Sequence, residues 1–147
     1  MSRKALFRIL SHSAGETESA GVIMATQLKK GDFVAMYGDL GAGKTAFVRG
    51  LASVIAPEDN ISSPTYTIVN EYGDDNNRLC HFDMYRIDSE DDLESIGFYD
   101  YTDCYIVAEW CEKIPYAVPD EHFSVTIEKI SETERLITIE KIAPDKK

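Results

Sequence analysis

Three glycines, a lysine and a threonine crowd into eight positions of this chain, and their spacing constrains the fold more than any other feature. They stand in the stretch Gly38-Asp39-Leu40-Gly41-Ala42-Gly43-Lys44-Thr45. An apolar run, Phe33 to Tyr37, comes just before the stretch, and a helical pattern from Ala46 to Ile55 comes just after it. A buried strand, a glycine-rich turn and a helix in this order predict a phosphate-binding loop of the form G-x-x-x-x-G-K-[ST].

The residue types of this loop fit phosphate binding. Glycine lets the backbone turn where a side chain would clash, so that successive N–H groups form an anion-binding nest. The following helix adds the positive end of its dipole. We predict that Lys44 reaches the β- and γ-phosphates and that the Thr45 hydroxyl ligates Mg²⁺. The alternative, a glycine-rich turn with a chance lysine, does not account for the flanking strand and helix.

Length and composition place the chain among small α/β proteins. Its 147 residues predict a single domain, residues 1–147, with little room for a lid. No run approaches the roughly 20 apolar residues of a membrane span, and the N-terminus lacks the pattern of a signal peptide. The three cysteines are odd in number and show no C-x-x-C spacing. This predicts reduced thiols in a cytoplasmic protein and argues against a zinc site.

The charge balance disfavours direct nucleic-acid binding. The net charge is −11, and acidic residues cluster at Glu90–Asp92 and Asp100–Asp103. Proteins that bind nucleic acid by themselves normally carry a basic patch. The acidic clusters are either a solvated surface or a docking face for a basic partner.

The remaining pattern predicts an α/β fold with a mixed sheet. Helices are predicted from Ser13 or Thr17 to about Lys30, and from Glu90 to Ile96, between a Ser89 cap and Gly97. Further strands are predicted at Ala5–Leu10, at Tyr66–Tyr72 and Arg78–Tyr85 as an antiparallel hairpin, at Cys104–Ala108, and at Phe123–Ile130 and Leu136–Ile142.

Two carboxylates end β-rich runs and are candidates for the chemistry. Glu109 follows an apolar run, and ligands of parallel sheets lie at the carboxyl ends of strands. We predict that Glu109 holds Mg²⁺ directly or through water, unless it is a solvated carboxylate at the sheet edge. Asp83 ends a second run and competes for the metal, or orients the attacking water. Its alternative role is a salt bridge to Arg86.

Three further side chains have open roles. His81 lies two residues before Asp83, so that both face the same side of a strand, and packing and function fit it equally well. Thr65, in a Ser-Pro-Thr loop, either senses the γ-phosphate and Mg²⁺ or belongs to a capped turn. Trp110 is either a stacking or partner-binding aromatic or an edge of the core.

Four motifs in order resemble one known family. They are Tyr37–Thr45, Ser63–Val69, His81–Arg86 and Glu109-Trp110. Together they resemble the TsaE (YjeE) family, the P-loop ATPase of bacterial tRNA threonylcarbamoyladenosine biosynthesis. The resemblance covers about Ser13 to Arg135 and is more specific than the phosphate loop alone.

The resemblance implies a three-layer P-loop NTPase-like fold with a mixed parallel and antiparallel sheet. It implies slow hydrolysis of ATP to ADP with Mg²⁺, in a complex with the partners TsaD and TsaB. Those partners modify the adenosine beside the anticodon of tRNAs, so tRNA would be contacted mainly through them. This agrees with the acidic balance of the chain.

Residue by residue, the resemblance assigns catalytic roles to Lys44, Thr65, Asp83 and Glu109, and metal ligation to Thr45 and Glu109. Nucleotide contacts are implied for the eight loop positions and for four further positions, namely Ser13, Ala14, Gly38, Asp39, Leu40, Gly41, Ala42, Gly43, Lys44, Thr45, Ala46 and Arg135. Ala46 stands where many members have a second threonine, which puts one phosphate contact in doubt.

The sequence motifs are also compatible with two other functions. A small-molecule kinase needs several arginines around the transferred phosphate, and only Arg49, Arg86 and Arg135 lie near the predicted site. A nucleotide-gated binding module without significant hydrolysis would use the same motifs. Product analysis separates the first alternative from an ATPase, and turnover with the partners separates the second.

Overall fold

A single seven-stranded sheet organises the chain, in the strand order β1-β7-β6-β2-β5-β4-β3. The computed structural model describes residues 2–38, 43–57, 69–74 and 76–145. The four central strands, β6, β2, β5 and β4, run parallel, and antiparallel pairs flank them on both sides. The predicted mixed α/β sheet is therefore confirmed.

The strands and helices have the following bounds. The strands are β1 Ser2–Ser11, β2 Phe33–Tyr37, β3 Val69–Gly73, β4 Arg78–Asp83, β5 Tyr105–Glu109, β6 His122–Lys129 and β7 Arg135–Ala143. The helices are α1 Ala14–Ala25, α2 Lys44–Ile55 and α3 Glu90–Ser95, with short 3-10 turns at Phe98–Asp100, Cys111–Lys113 and Pro115–Ala117.

Alternate side chains of the central strands pack into two separate hydrophobic cores, one on each face of the sheet. Val34 and Met36 of β2 face α1 and α2. Phe33 and Ala35 face the layer formed by α3 and the 3-10 turns. Because both faces of β2 are covered, the strand is apolar throughout, as its sequence predicts. The sheet thus lies between two layers, and its central strands are held rigidly.

Most element boundaries agree with the sequence pattern to within a few residues. Helix α1 is shorter than predicted, because Thr26 caps it by donating from its hydroxyl to the Ile23 carbonyl, 2.6 Å away. Strand β1 is longer than predicted, because it pairs with β7 from Ser2 to Ser11. Part of the predicted Tyr66–Tyr72 strand lies outside the described residues.

Two glycines bring α1 and α2 into close contact. A Cβ atom added at Gly21 would lie 2.1 Å from the Phe47 carbonyl oxygen, and one at Gly50 would lie 1.9 Å from the Glu18 carbonyl oxygen. Both distances are far below van der Waals contact, so no side chain fits between the backbones. The crossing fixes α2, and with it the residues at its N-terminus.

The three cysteines are buried free thiols. Cys80 and Cys104 are fully buried, as small core residues are. No helix in the described part of the chain has the length and apolarity needed to cross a membrane.

Candidate functional site

The carboxyl edge of the parallel strands gathers the predicted site residues. Tyr37, Asp83 and Glu109 are the last residues of β2, β4 and β5. Asp83 lies directly opposite Glu109 in the β4–β5 ladder, and Glu109 lies opposite Met36 in the β2–β5 ladder. Directly opposite residues share a face of the sheet, so the two carboxylates are neighbours.

Helix α2 begins at this edge and presents Lys44 to the site. Its cap residue is Gly43, which has a left-handed backbone with φ of 103° and no side chain to cap the helix. The first N–H groups of α2 therefore remain available for an anion. Lys44 is only 6 % exposed, and its Nζ donates to the Gly38 carbonyl oxygen at 2.6 Å.

Glu109 links the lysine to a histidine. Its Oε1 lies 3.8 Å from Lys44 Nζ, and its Oε2 is hydrogen bonded to Nε2 of His81. Glu109 is 4 % exposed, so its charge is compensated by partners rather than by bulk water. The alternative of a solvated carboxylate at the sheet edge is wrong for Glu109.

Asp83 is less buried and differently held. Its Oδ1 accepts a hydrogen bond from the Tyr85 backbone N–H at 3.0 Å. Burial raises the pKa of the Asp83 carboxyl, and the neighbouring Glu109 charge raises it further. Within the described ranges no ion pair joins Asp83 to Arg86, so the salt-bridge alternative is not found. A carboxyl with a raised pKa beside a second carboxylate is suited to proton transfer.

The Trp110 ring covers the lysine and packs against a second aromatic ring, that of Tyr85. Lys44 Nζ lies 4.2 Å from the centroid of the Trp110 ring, and the Trp110 and Tyr85 rings are 5.1 Å apart. Trp110 follows Glu109 directly. Its φ of 61° is a left-handed backbone conformation, which is uncommon for a residue with a large side chain. The indole therefore lies over Lys44 at the start of α2, and it also packs against the edge of the core on the α3 side of the sheet.

A cavity of about 400 Å³ opens beside the same helix end. It is lined by parts of α1, α2 and the β6–β7 turn, namely His12, Ser13, Ala14, Thr17, Gly43, Ala46, Glu132, Thr133 and Arg135. Ser13 caps α1 by accepting from the Glu16 N–H at 3.1 Å. The volume lies within the range of small-molecule sites.

The structure thus brings most of the predicted site residues together. Lys44, Asp83 and Glu109 meet at the sheet edge, and five predicted nucleotide contacts, Ser13, Ala14, Gly43, Ala46 and Arg135, line one cavity. Thr45 occupies the first turn of α2 and is partly exposed. Asp39, Leu40, Gly41, Ala42 and Thr65 lie outside the described residues.

The side-chain oxygens at this edge suit a hard cation whose other ligands are phosphate and water oxygens. The described residues contain no group of three or more His, Cys, Asp and Glu side chains that could hold a metal by themselves. The oxygens of Thr45, Asp83 and Glu109 at one edge match the preference of Mg²⁺, which binds through one or two protein ligands plus phosphates and water. The residues present therefore fit a nucleotide-bound Mg²⁺.

The sequence pattern does not indicate several residues that lie near the candidate site. Tyr85 was not singled out, although it follows the end of β4 and so must lie at the same sheet edge as Asp83. His12, Glu132 and Thr133 were missed because only the β1–β7 and β6–β7 pairings bring their turns to the N-terminus of α2. The position of His12 next to the Ser13 cap was the one available signal.

Comparisons with known proteins agree on one family. The family model described as "Threonylcarbamoyl adenosine biosynthesis protein TsaE" matches residues 11–137. The chain is 38 % identical over 111 residues to the tRNA threonylcarbamoyladenosine biosynthesis protein TsaE of Haemophilus influenzae, covering 74 % of this chain and 70 % of that protein. It is 34 % identical over 123 residues to the Bacillus subtilis protein of the same name, covering 84 % and 78 %.

A solved structure extends the agreement to the fold. The crystal structure of Bacillus subtilis YdiB matches with a TM-score of 0.75 and 29 % identity, over 97 % of this chain and 89 % of that chain. The fold is therefore P-loop-like, as the sequence predicted. With the family model covering most of the chain and relatives above 30 % identity over the same region, this chain belongs to the TsaE family of threonylcarbamoyl adenosine biosynthesis proteins.

Proposed function

We propose that this protein is a Mg²⁺-dependent ATPase that serves threonylcarbamoyl modification of tRNA. The observation that carries the proposal is the junction of Lys44 with Glu109 at the uncapped N-terminus of α2, with Asp83 opposite Glu109. A cation, an anion-binding helix end and two carboxylates at one sheet edge are the parts that phosphoryl transfer to water requires.

Phosphate binding is the first step that these residues support. Lys44 Nζ donates to the Gly38 carbonyl and lies over the Trp110 ring, so its ammonium is already beside the residue where the predicted loop begins. A phosphate oxygen offers this cation a stronger, charge-assisted hydrogen bond than a neutral carbonyl does. The N–H groups of the first turn of α2 would hold the same phosphates.

The two carboxylates would have different roles: Glu109 in metal binding and Asp83 in activation of the attacking water. Mg²⁺, when bound with the nucleotide, neutralises the charge that develops on the transferred phosphoryl group. Thr45 and Glu109 would hold it, since their oxygens lie at the loop and at the end of β5. Asp83, whose pKa burial raises, would orient the attacking water and accept its proton.

The cavity beside α2 supports a nucleotide rather than free phosphate. It joins the helix N-terminus at Gly43 and Ala46 to a wall formed by Ser13, Ala14 and Arg135. A nucleoside attached to phosphates at Lys44 would extend into this space. The volume of about 400 Å³ is adequate for a nucleoside.

The assembly proposed for the protein follows from its family and its charge. We place it in the cytoplasm with TsaD and TsaB as partners, where its buried cysteines remain free thiols. A net charge of −11 disfavours strong tRNA binding by this chain alone. The tRNA would therefore be contacted mainly through the partners, with ATP turnover on this chain supporting their cycle.

The intrinsic fluorescence of Trp110 offers a direct test of ATP binding, because it is the only tryptophan. Phosphates that capture Lys44 move its ammonium away from the indole face, so Mg²⁺–ATP should produce a saturable fluorescence change. Lys44→Ala should abolish that change. Lys113→Ala is the matched control, since Lys113 lies over the neighbouring Tyr85 ring at 5.8 Å and has no phosphate role. An undiminished response in Lys44→Ala would refute the proposed phosphate site.

Phosphorus NMR of the products separates the proposal from its two alternatives. An ATPase yields ADP and inorganic phosphate and needs no acceptor. A small-molecule kinase transfers the γ-phosphate only when an acceptor is present, and a nucleotide-gated binding module leaves ATP intact even with its partners. No observation on the described residues favours either alternative over hydrolysis.

A further inference from the structure

His81 lies wholly inside the protein, immediately behind the two carboxylates. Its exposed fraction is 0 %, and it stands opposite Val107 in the β4–β5 ladder. Because Asp83 is opposite Glu109 in the same ladder, His81 lies diagonally across from Glu109 on the same face. An imidazole buried among apolar groups alone would leave both ring nitrogens without hydrogen-bond partners. The neighbouring Glu109 carboxylate provides a partner for one of them.

The hydrogen bonds of the ring define which nitrogen carries the proton. Nε2 of His81 is hydrogen bonded to Oε2 of Glu109. Nδ1 is buried, and no described residue partners it. A buried N–H without an acceptor is rarer and more costly than a lone pair without a donor. Nε2 is therefore the nitrogen that carries a proton, which it donates to Glu109.

This hydrogen bond makes the two oxygens of Glu109 unequal. Oε2 is occupied by His81, whereas Oε1 faces Lys44 Nζ at 3.8 Å. That separation is longer than a direct hydrogen bond, so Oε1 keeps its capacity to accept from water or to bind a cation. The carboxylate cannot rotate to exchange its oxygens without breaking the bond to His81.

We propose that His81 is a positioning residue: its Nε2–H fixes the Glu109 carboxylate so that Oε1 faces the phosphate-binding side of the site. The inference rests on the proposed function for what Glu109 does, but the hydrogen bond itself can be tested without nucleotide. Outer partners of this kind orient the residues that contact metal and substrate.

A matched pair of substitutions separates positioning from packing. The amide nitrogen of His81→Gln can occupy the place of Nε2 and donate to Glu109, whereas that of His81→Asn falls near Nδ1 and cannot reach it. In a phosphate-release assay, His81→Asn should lower kcat by about 10- to 100-fold, the range for lost outer partners. His81→Gln should retain most of kcat, and the KM for ATP should change little in either variant.

Thermal unfolding of the same variants measures their stability separately from their turnover. If His81 only fills the core, the loss of kcat follows the loss of stability and the two amides behave alike, which would overturn the proposal. If His81 positions Glu109, the Gln variant recovers kcat regardless of the melting temperatures of the pair.

Nitrogen-15 NMR of the free protein tests the hydrogen bond even if a variant fails to fold. The chain has only three histidines, so the His81 ring is assignable. Its spectrum should show a protonated Nε2 in the absence of nucleotide and metal. An Nε2 that carries no proton contradicts the proposed hydrogen bond to Glu109.

The two readouts keep this inference distinct from the proposed function. If the wild-type protein and its partners release no phosphate from ATP, the ATPase proposal fails, and the NMR result still decides whether His81 holds Glu109. If phosphate is released but His81→Asn turns over as fast as the wild type, positioning by His81 fails while the ATPase proposal stands.

Discussion

At the scale of single residues, the candidate site contains a buried ion pair in which a positive and a negative side chain compensate each other's charge. Lys44 and Glu109 are both nearly inaccessible, and Lys44 Nζ lies 3.8 Å from Glu109 Oε1. Desolvating such a pair costs free energy that their attraction does not fully offset, so a buried ion pair at a strand end indicates a role besides stability. The same groups are those that a nucleotide phosphate and its cation would engage.

Glu109→Gln and Asp83→Asn should separate binding from hydrolysis. Both variants keep the volume of the side chain, and neither removes Lys44 or the N–H groups of α2. We expect ATP affinity to change less than about tenfold and kcat to fall by about 100-fold or more, as loss of a general base or an electrostatic group produces. Binding isotherms beside phosphate-release rates provide the check. Unaltered kcat in both variants would exclude the two-carboxylate site.

His122 should make stability depend on pH. Its Nδ1 donates to the Pro119 carbonyl oxygen at 2.8 Å, and burial lowers its pKa below the usual 6.5. A lowered pKa in the folded state means that the unfolded chain binds the proton more tightly. This contribution to stability is therefore complete above about pH 6.5 and is lost as the pH falls towards the folded pKa.

His122→Asn keeps a donor near Pro119 and removes the titration. Its melting temperature should consequently fall less than that of the wild type between about pH 7 and about pH 5. Equal falls in the two proteins would show that His122 does not cause the pH dependence.

The sequence predicted positions that the backbone determines better than contacts between side chains. Asp83 and Glu109 end parallel strands and Lys44 begins the helix that follows β2, so the topology alone brings them to one edge of the sheet. The contact of Lys44 with Trp110 depends instead on the left-handed backbone of Trp110, which no local pattern indicates. The role of His81 stayed open because its partner lies on another strand.

At the scale of elements, the packing of α1 against α2 positions the N-terminal end of α2. Gly21 and Gly50 face each other across this crossing. Sequence periodicity predicted both helices, but it could not reveal this contact, since a glycine within a helix gives no sign of which neighbour approaches it. The length of α1 was overestimated for a related reason, because its end is set by the Thr26 cap.

Gly21→Ala and Gly50→Ala should destabilise the protein by about 1 to 3 kcal/mol each, because the added methyl group meets backbone atoms that cannot move independently. Gly15→Ala is the matched control, since its methyl group would meet only the Ser13 hydroxyl, 3.8 Å away. Helix propensity should make that control neutral or stabilising by up to about 1 kcal/mol. Denaturant unfolding measures all three, and a stabilised Gly21→Ala variant would disprove the tight crossing.

At the scale of the whole molecule, two layers on a mixed sheet hold a site at one edge. Alternating and continuous apolar runs mark the strands along the chain, which is why the mixed α/β class was predictable, whereas they do not determine the order of the strands in the sheet. The long-range pairing of β1 with β7 brings the first and last strands together and closes the cavity around Arg135. Local sequence signals contain little information on that pairing.

Phosphate release from ATP, measured with Mg²⁺ in the presence and absence of TsaD and TsaB, decides whether this protein is an ATPase that works with those partners. We expect slow release by the protein alone, a faster rate with the partners, and none above background when Lys44→Ala replaces the wild type. Release that is insensitive to Lys44→Ala, or ATP that stays intact with the partners present, would contradict this expectation.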